Sequence, residues 1–403
     1  MSDTYDAIVI GARCAGAPTA MLLARKGYRV LVVDRAEFPS DTVSTHVVQA
    51  PAVASLRRWG LLDQVAATGC PPIETYSMDF GPVVIEGTPL PVDGFSTAYA
   101  PRRTVLDMIL VDAAADAGAE VRERFSVEEL VIEDGVVVGI RGHGQGGASV
   151  VERARVVIGA DGRNSEVAKA MQPAQYNEKP RLMQAYYTYW SGLPVDGFDI
   201  WARPDRGWAV APTNDGLTML VVGWPAAEAQ DYRADYEANY LKTLDLAPEF
   251  ADRVRAATRE ERFTGASVPN YFRTPFGPGW ALVGDAGYQR DPITAQGITD
   301  AFRDAELCAN ALDETFSGRR SFDEAMSDYQ AARDGQVMPI YEFTAQVASF
   351  EAPSEQMQQL LGAIHGNQPA MDAFLSLTAG TLSPAAFFDP DNLARLTGAG
   401  AGR

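Results

Sequence analysis

The chain opens on a mainly apolar run, Tyr5 to Ile10, that stops at Gly11. Such a run, β-branched and without alternation, predicts a parallel strand buried on both faces. After a six-residue turn, Ala17 to Lys26 has the Ala, Leu and Met content of a helix that Gly27 ends, and Tyr28 to Val33 predicts a second strand closing on Asp34. Ala52 to Val65 carries Val53, Leu56 and Trp59 on one helical face, with Gly60 ending its first part. Residues 71–100 alternate and are rich in Pro and Gly, which predicts short antiparallel strands of an inserted second layer. A helix from Pro101 to Gly118, strands over 121–127 and 136–141, a surface turn over 142–147 and a buried strand ending at Asp161 follow. Residues 181–190, 198–203, 207–212 and 217–223 read as an antiparallel sheet, then 231–244 and 248–256 as helices. Residues 280–286 repeat the strand-to-Gly-Asp pattern before a helix over 300–312. The remainder is helical and acidic, with a long broken segment over 322–350, a short helix over 374–382 and a loose end over 390–403. There is no internal repeat.

Strand, glycine turn, helix, strand and acid in this order form a dinucleotide-binding unit in which each part has a physical task. Gly11 permits the turn, Gly16 lets helix and strand pack closely, and the helix N-terminus offers N–H groups and partial positive charge to a pyrophosphate. Asp34 is placed to accept hydrogen bonds from a ribose. The middle glycine of the usual G-x-G-x-x-G is Arg13, so its guanidinium either points away or sits beside the pyrophosphate as a charge-assisted partner. Arg102 and Arg103 open a helix against its macrodipole, an arrangement that an anion or a flavin edge would compensate. Asp285, at the end of a buried strand, needs a hydroxyl partner such as a ribityl or ribose group. The helix that starts near Gly297 aims its N-terminus at something electron-rich.

Composition removes several alternatives. A formal charge of −19 argues against nucleic acid or an anionic membrane as partner. The chain has 403 residues, too many for one simple core, and its 46% hydrophobic content is that of a globular protein with two interleaved domains. Cys14, Cys70 and Cys308 have no metal-like spacing and His46, His143 and His365 are scattered, so no metal site is expected. No charged-then-apolar leader and no bilayer-length apolar run are visible, and the few cysteines suit a reducing, cytoplasmic setting.

The three segments ending at Gly16, Asp161-Gly162 and Gly284-Asp285 together resemble the FAD-binding set of flavoprotein monooxygenases of the para-hydroxybenzoate hydroxylase type. The resemblance spans residues 5–312, about three quarters of the chain. It implies an α/β fold: a Rossmann-like (GR2-type) FAD-binding domain over 1–75, 98–172 and 272–350, an interleaved antiparallel β-sheet substrate domain over 76–97 and 173–271, and a helical C-terminal tail over 351–403. It implies further that Gly11, Ala12, Arg13, Cys14, Ala15, Gly16, Asp34 and Arg35 hold the ADP half of FAD. Arg103 then contacts the cofactor, Asp161 and Gly162 serve FAD and NAD(P)H, Gly284 and Asp285 hold the ribityl chain, and Gln296, Gly297 and Ile298 face the pyrimidine edge. The implied activity is hydroxylation of a small aromatic substrate by oxygen through a flavin C4a-hydroperoxide. NAD(P)H acts as transient donor, directly or through a separate flavin reductase.

Departures from the family pattern leave rivals. Ala168 and Lys169 stand where an arginine follows the Asp-Gly loop, Gly287-Tyr288 replaces Ala-His, and Ala295 replaces a glycine. Asp291-Pro292 and Gly297-Ile298 also resemble geranylgeranyl reductases and flavin-dependent halogenases, although the Trp-x-Trp-x-Ile-Pro halogenase signature is absent where residues 207–212 read Gly-Trp-Ala-Val-Ala-Pro. A flavin reductase of carbon–carbon double bonds is the nearest alternative, and a partner-binding module with structural FAD is another. Pro292, His46, Tyr288 and Arg290 are the candidates for the reacting face, with a helix-capping loop histidine as the bland reading of His46. Tyr187, Tyr189, Trp201 and Trp208 are the candidates for substrate contact in an unusually aromatic sheet. Tyr187 and Tyr189 should point one way and Tyr186 and Trp190 the other, with ordinary sheet packing as the alternative for each aromatic.

Overall fold

The computed structural model describes residues 4–397. Its first sheet has Trp280–Leu282, Val150–Gly159, Thr4–Ile10, Val30–Val33 and Glu120–Arg122 as parallel neighbours in that order. Its central strands Thr4–Ile10 and Val30–Val33 are rich in β-branched apolar residues because helices or a second β layer cover both faces. Ile10 pairs with Gly159 and Gly159 with Leu282, so three strands end side by side. The backbone continues the ladder one step further, with Ala160 N–H bonded to Ile10 O at 2.8 Å and Val283 N–H to Gly159 O at 3.0 Å. The glycine turn, the Asp161-Gly162 loop and Gly284-Asp285, far apart in sequence, therefore meet at adjacent carboxyl ends of parallel strands, where open α/β sheets bind ligands.

Helices Gly16–Arg25, Arg103–Asp116 and Gly297–Phe316 pack together on one face of this sheet around Met21, Leu106, Leu110, Phe302 and Cys308, all buried. Gly11, at φ +99°, is a position where a β-carbon would lie 2.5 Å from Ala160 O. At Gly16 it would lie 1.8 Å from Gly11 O, which is why the helix can start so close beneath the turn.

The second sheet runs Thr258–Arg259, Met183–Ser191, Thr218–Pro225, Arg206–Pro212, Phe198–Arg203, Tyr76–Asp79, Val84–Gly87. It is antiparallel with one exception: Tyr76–Asp79 joins Phe198–Arg203 in parallel, so residues 71–100 are not simply antiparallel as their pattern suggests. Alternation sorts its residues as expected. Tyr187, Tyr189, Ala211 and Met219 share one cluster, while Trp190, Trp208, Leu220 and Trp224 belong to another, beneath helices Tyr236–Leu244 and Pro248–Ala256.

The helical tail after residue 350 is packed against the second sheet, and residues 390–397 of the end expected to be loose form a helix. Helices Glu355–Ile364, Gln368–Ala379, Pro384–Phe387 and Pro390–Thr397 bury Leu361, Ile364, Phe374, Leu375 and Phe387 in the same cluster as Tyr187 and Tyr189. Residues 398–403, expected to be loose, lie outside the described residues. No helix among the described residues is long and apolar enough to cross a membrane.

Candidate active site

The glycine turn is pinned from both sides. Asp34 accepts a 2.8 Å bond from Ala12 N–H through one carboxylate oxygen and another from Ala36 N–H through the other, fixing the turn against the second strand. Arg13 resolves the question its position raises: its guanidinium bonds Asp107 at 2.5 Å and Ser40 at 3.1 Å to the carbonyl and 2.9 Å to the hydroxyl. Those bonds take up donors that a phosphate would otherwise claim. Asp107 also accepts from Arg103 at 2.8 and 3.0 Å and faces the Cys14 thiol at 3.4 Å. Cys14 and Ala15 are buried and Arg35 is exposed. Burial raises the Cys14 thiol well above its ordinary range, so the thiol stays protonated and inert.

Asp285 is solvent-accessible yet surrounded by protein, the situation of a group lining a deep recess. Loss of bulk water pushes its carboxyl up to about 6, with Asp300 adding to the shift and Arg103 and Arg163 opposing it. Across the recess Asp161 accepts from Glu166 N–H at 2.6 Å through one oxygen, while the other is buried without a partner. Gly162 beside it has φ +74°. Neither the helix at Gly16 nor the helix at Gly297 has a side chain bonded to its first turn. Gly297 has no left-handed φ, and a β-carbon there would meet nothing within 4 Å, so the chain itself gives no steric reason for this glycine. Uncapped helix starts, an orphaned carboxylate oxygen and an accessible carboxylate in a recess fit an elongated ligand that is anionic in the middle and hydroxyl-bearing beside Asp285. FAD has this character. Gly284 and Ile298 are packed behind the recess, with Gly284 N–H donating to Asp304 at 3.1 Å.

Two long-range interactions connect the recess to the second sheet. The Arg103 charge acts on both Asp285 and His46. His46, buried at φ +64°, places Nε2 2.7 Å from the Tyr189 hydroxyl and stands edge-on to both Tyr187 and Tyr189. Burial, then the Arg103 and Arg102 charges, lower its pKa to about 3, so its imidazole is neutral at physiological pH. Arg102 lies 3.9 Å above the Tyr189 ring. Gln49 accepts a 2.6 Å bond from the Tyr76 hydroxyl. His46 Nδ1 and Gln49 Nε2 are both buried without a partner. His46 and Gln49 thus each bring a buried, unmatched nitrogen to an aromatic cluster that includes Tyr76, Tyr187 and Tyr189. Sequence reasoning missed Gln49, because a lone glutamine in the apolar run 47–50 carries no signal until Tyr76 is seen beside it.

Other candidates fall elsewhere. Trp201 and Trp208 stack on each other at 5.8 Å, with Phe250 against Trp201; Trp208 is buried and Trp201 half-buried, both with the cluster on the sheet face away from Tyr187 and Tyr189. Tyr288 packs with Phe272 and Tyr341 inside a separate apolar cluster. The Gln296 side chain turns away and donates to Thr378 O at 2.6 Å. Arg290 pairs with Asp300 at 2.6 Å and lines a different cavity. Pro292 is half-buried in the turn before the Gly297 helix, capped by Asp291, whose carboxyl burial raises to about 7. Ala295 in that turn has φ +51°, a conformation suited to the glycine the family pattern carries there, and it joins the apolar cluster of Tyr187 and Tyr189.

Residues 4–344 match the family model described as an FAD binding domain. The chain belongs to this FAD-binding family. This flavoprotein is 30% identical over 335 residues to a digeranylgeranylglycerophospholipid reductase of Methanosarcina mazei, covering 79% of this chain and 77% of the relative. It is 26% identical to a 3-demethoxyubiquinol 3-hydroxylase of Escherichia coli, covering 80% and 82%. Among solved structures, the flavin-dependent brominase Bmp2 superposes with a TM-score of 0.81 at 18% identity over 98% of each chain, a likeness of fold. The flavoprotein is an FAD-dependent oxidoreductase, and a nicotinamide donor is typical of its family.

Proposed function

We propose that this flavoprotein is a monooxygenase that hydroxylates a small aromatic substrate carrying a hydroxyl or carbonyl group, with NAD(P)H as electron donor. When bound, FAD supplies the redox and oxygen-activating chemistry. One oxygen atom enters the substrate, the other leaves as water, and the donor gives up a hydride. The chain's own work is to hold the cofactor at Asp285, Asp161 and the glycine turn, to exclude water, and to orient the substrate in the box of His46, Gln49, Tyr187 and Tyr189. The observation that carries the reading is the pair of unmatched buried atoms, His46 Nδ1 and Gln49 Nε2. Leaving them unpaired costs about 1–3 kcal/mol each, which a phenol or quinol oxygen removes and a hydrocarbon does not.

The deciding experiment is a turnover of reduced, FAD-loaded protein with labelled oxygen and a panel of phenols and quinols. Label appearing in a hydroxylated product supports the reading, and Gln49→Leu should then slow turnover about tenfold or more. Failure to incorporate label into any panel member would sink it. A second reading, reduction of a carbon–carbon double bond, is favoured by the reductase relative of Methanosarcina mazei. Oxygen-independent consumption of an isoprenoid alkene by the same reduced protein would establish that reading instead.

A further inference from the structure

A cavity of about 310 Å³ opens between the helix Ala50–Trp59, the first turns of Gly297–Phe316, the middle of Phe322–Ala348 and the chain at 380–384. That is near the lower end of small-molecule sites, roughly 300–1,000 Å³. None of its lining residues belongs to the glycine turn, the Asp161 loop, Asp285 or the tyrosine box.

Three arginines line it, and two are fully matched. Arg58 meets Asp93 at 3.1 Å and Glu306 at 2.9 Å. Arg303 meets Asp300 and Asp304, each at 2.8 Å. Arg290 differs. Its side chain is only 5% exposed and its Nη2 lies 2.6 Å from Asp300, a carboxylate it shares with Arg303. Even so, neither Nη1 nor Nη2 has an acceptor in hydrogen-bonding geometry. Thr299 Oγ1, also on the cavity wall, is buried without a partner.

A guanidinium has donors and no acceptor, so what this wall lacks is an acceptor, best a negatively charged one. The ion pair with Asp300 offsets the charge of Arg290 but leaves its buried N–H donors without an aligned acceptor, which is costly. Pro51, Val92, Ile340 and Leu382 give the cavity an apolar stretch of wall, while its carboxylates Asp93, Asp300 and Glu306 are each paired with an arginine. We infer that this cavity is a binding site for a small organic carboxylate with an aliphatic tail, its carboxylate held by Arg290 and Thr299. The site is independent of which reaction the flavin performs.

The test is calorimetric titration of hexanoate, and separately of inorganic phosphate, into the FAD-loaded protein. One saturable hexanoate site is expected. Arg290→Met should weaken it at least about tenfold and Thr299→Val severalfold, with Tyr189→Phe, in the flavin-side box, without effect. Arg290→Met also strips Asp300 of a neighbour, so Thr299→Val, nearly isosteric and removing an unbonded hydroxyl, keeps the test decisive if the first variant fails to fold. No hexanoate binding, binding indifferent to both cavity variants, or binding lost in Tyr189→Phe would overturn the inference. Phosphate binding that depends on Arg290 without hexanoate binding would overturn the carboxylate assignment.

Discussion

Asp285 and Asp291 lie six residues apart, and loss of water raises both carboxyls, but they answer to different partners. Asp285 faces the cofactor recess, and ribityl hydroxyls donating to it favour its ionised form. FAD affinity should therefore rise with pH through about 6, and Asp285→Asn should flatten that dependence while weakening binding overall; fluorescence titration of FAD at pH 5 and 7.5 reads both effects. Asp291 faces the backbone, accepting from Ile293 and Met183 at 3.2 and 3.3 Å, bonds too few to offset its burial at about 7. Its neutral form is favoured in the folded protein. Stability from this group is thus fully present below the ordinary carboxylate pKa and is lost as pH rises through about 7. Between pH 5 and pH 8 the loss is at most about 3 kcal/mol, and Asp291→Asn should remove that part of the difference between urea denaturation at the two pH values. The sequence showed why Asp285 needs a partner, since a carboxylate closing a buried strand is anomalous by itself. It could not show that Trp201 and Trp208 face the packed side, because alternation says which residues share a face and not which face meets the cofactor domain.

Elements explain why some glycines tolerate no change and another does. At Gly16 a β-carbon would collide with Gly11 O at 1.8 Å, a backbone atom with no room to yield, so Gly16→Ala should abolish FAD binding and lower the melting temperature. Gly297 is the contrast: with open space around its β-carbon and no left-handed φ, Gly297→Ala should leave the FAD-free protein as stable or stabilise it by up to about 1 kcal/mol. The same methyl intrudes on the recess, so FAD affinity should fall. Melting curves with and without FAD separate the two effects, and a destabilised FAD-free variant would mean that the glycine serves the fold alone. The strand-and-turn signatures were legible because each is local, a buried run stopped by glycine and acid. The parallel pairing of Tyr76–Asp79 with Phe198–Arg203 was not, because it joins a four-residue strand in a Pro- and Gly-rich stretch to one more than 100 residues away.

For the molecule as a whole, the packing of the helices after residue 350 is what the sequence shows least. Acidic helical sequence after residue 350 suggests an appendage, because its apolar residues are spread over four short helices and no single one has a long stripe. Packed together, those helices close the cluster that includes Tyr76, Tyr187, Tyr189 and Met219, and Gln296, one residue before the Gly297 helix, bonds across to Thr378. The tail thus packs on the same face of the second sheet that carries Tyr187 and Tyr189. Removing even one large buried side chain costs about 2–5 kcal/mol, against a typical net stability of about 5–15 kcal/mol. A chain ended after Phe350 loses Leu361, Ile364, Phe374, Leu375 and Phe387 together and exposes the face they cover. It should fail to melt cooperatively and should aggregate, whether or not FAD is supplied. A truncated protein that stays monomeric, melts within a few degrees of the full chain and binds FAD with unchanged affinity would show instead that the first 350 residues fold on their own and that Tyr187 and Tyr189 do not need the tail packed beside them.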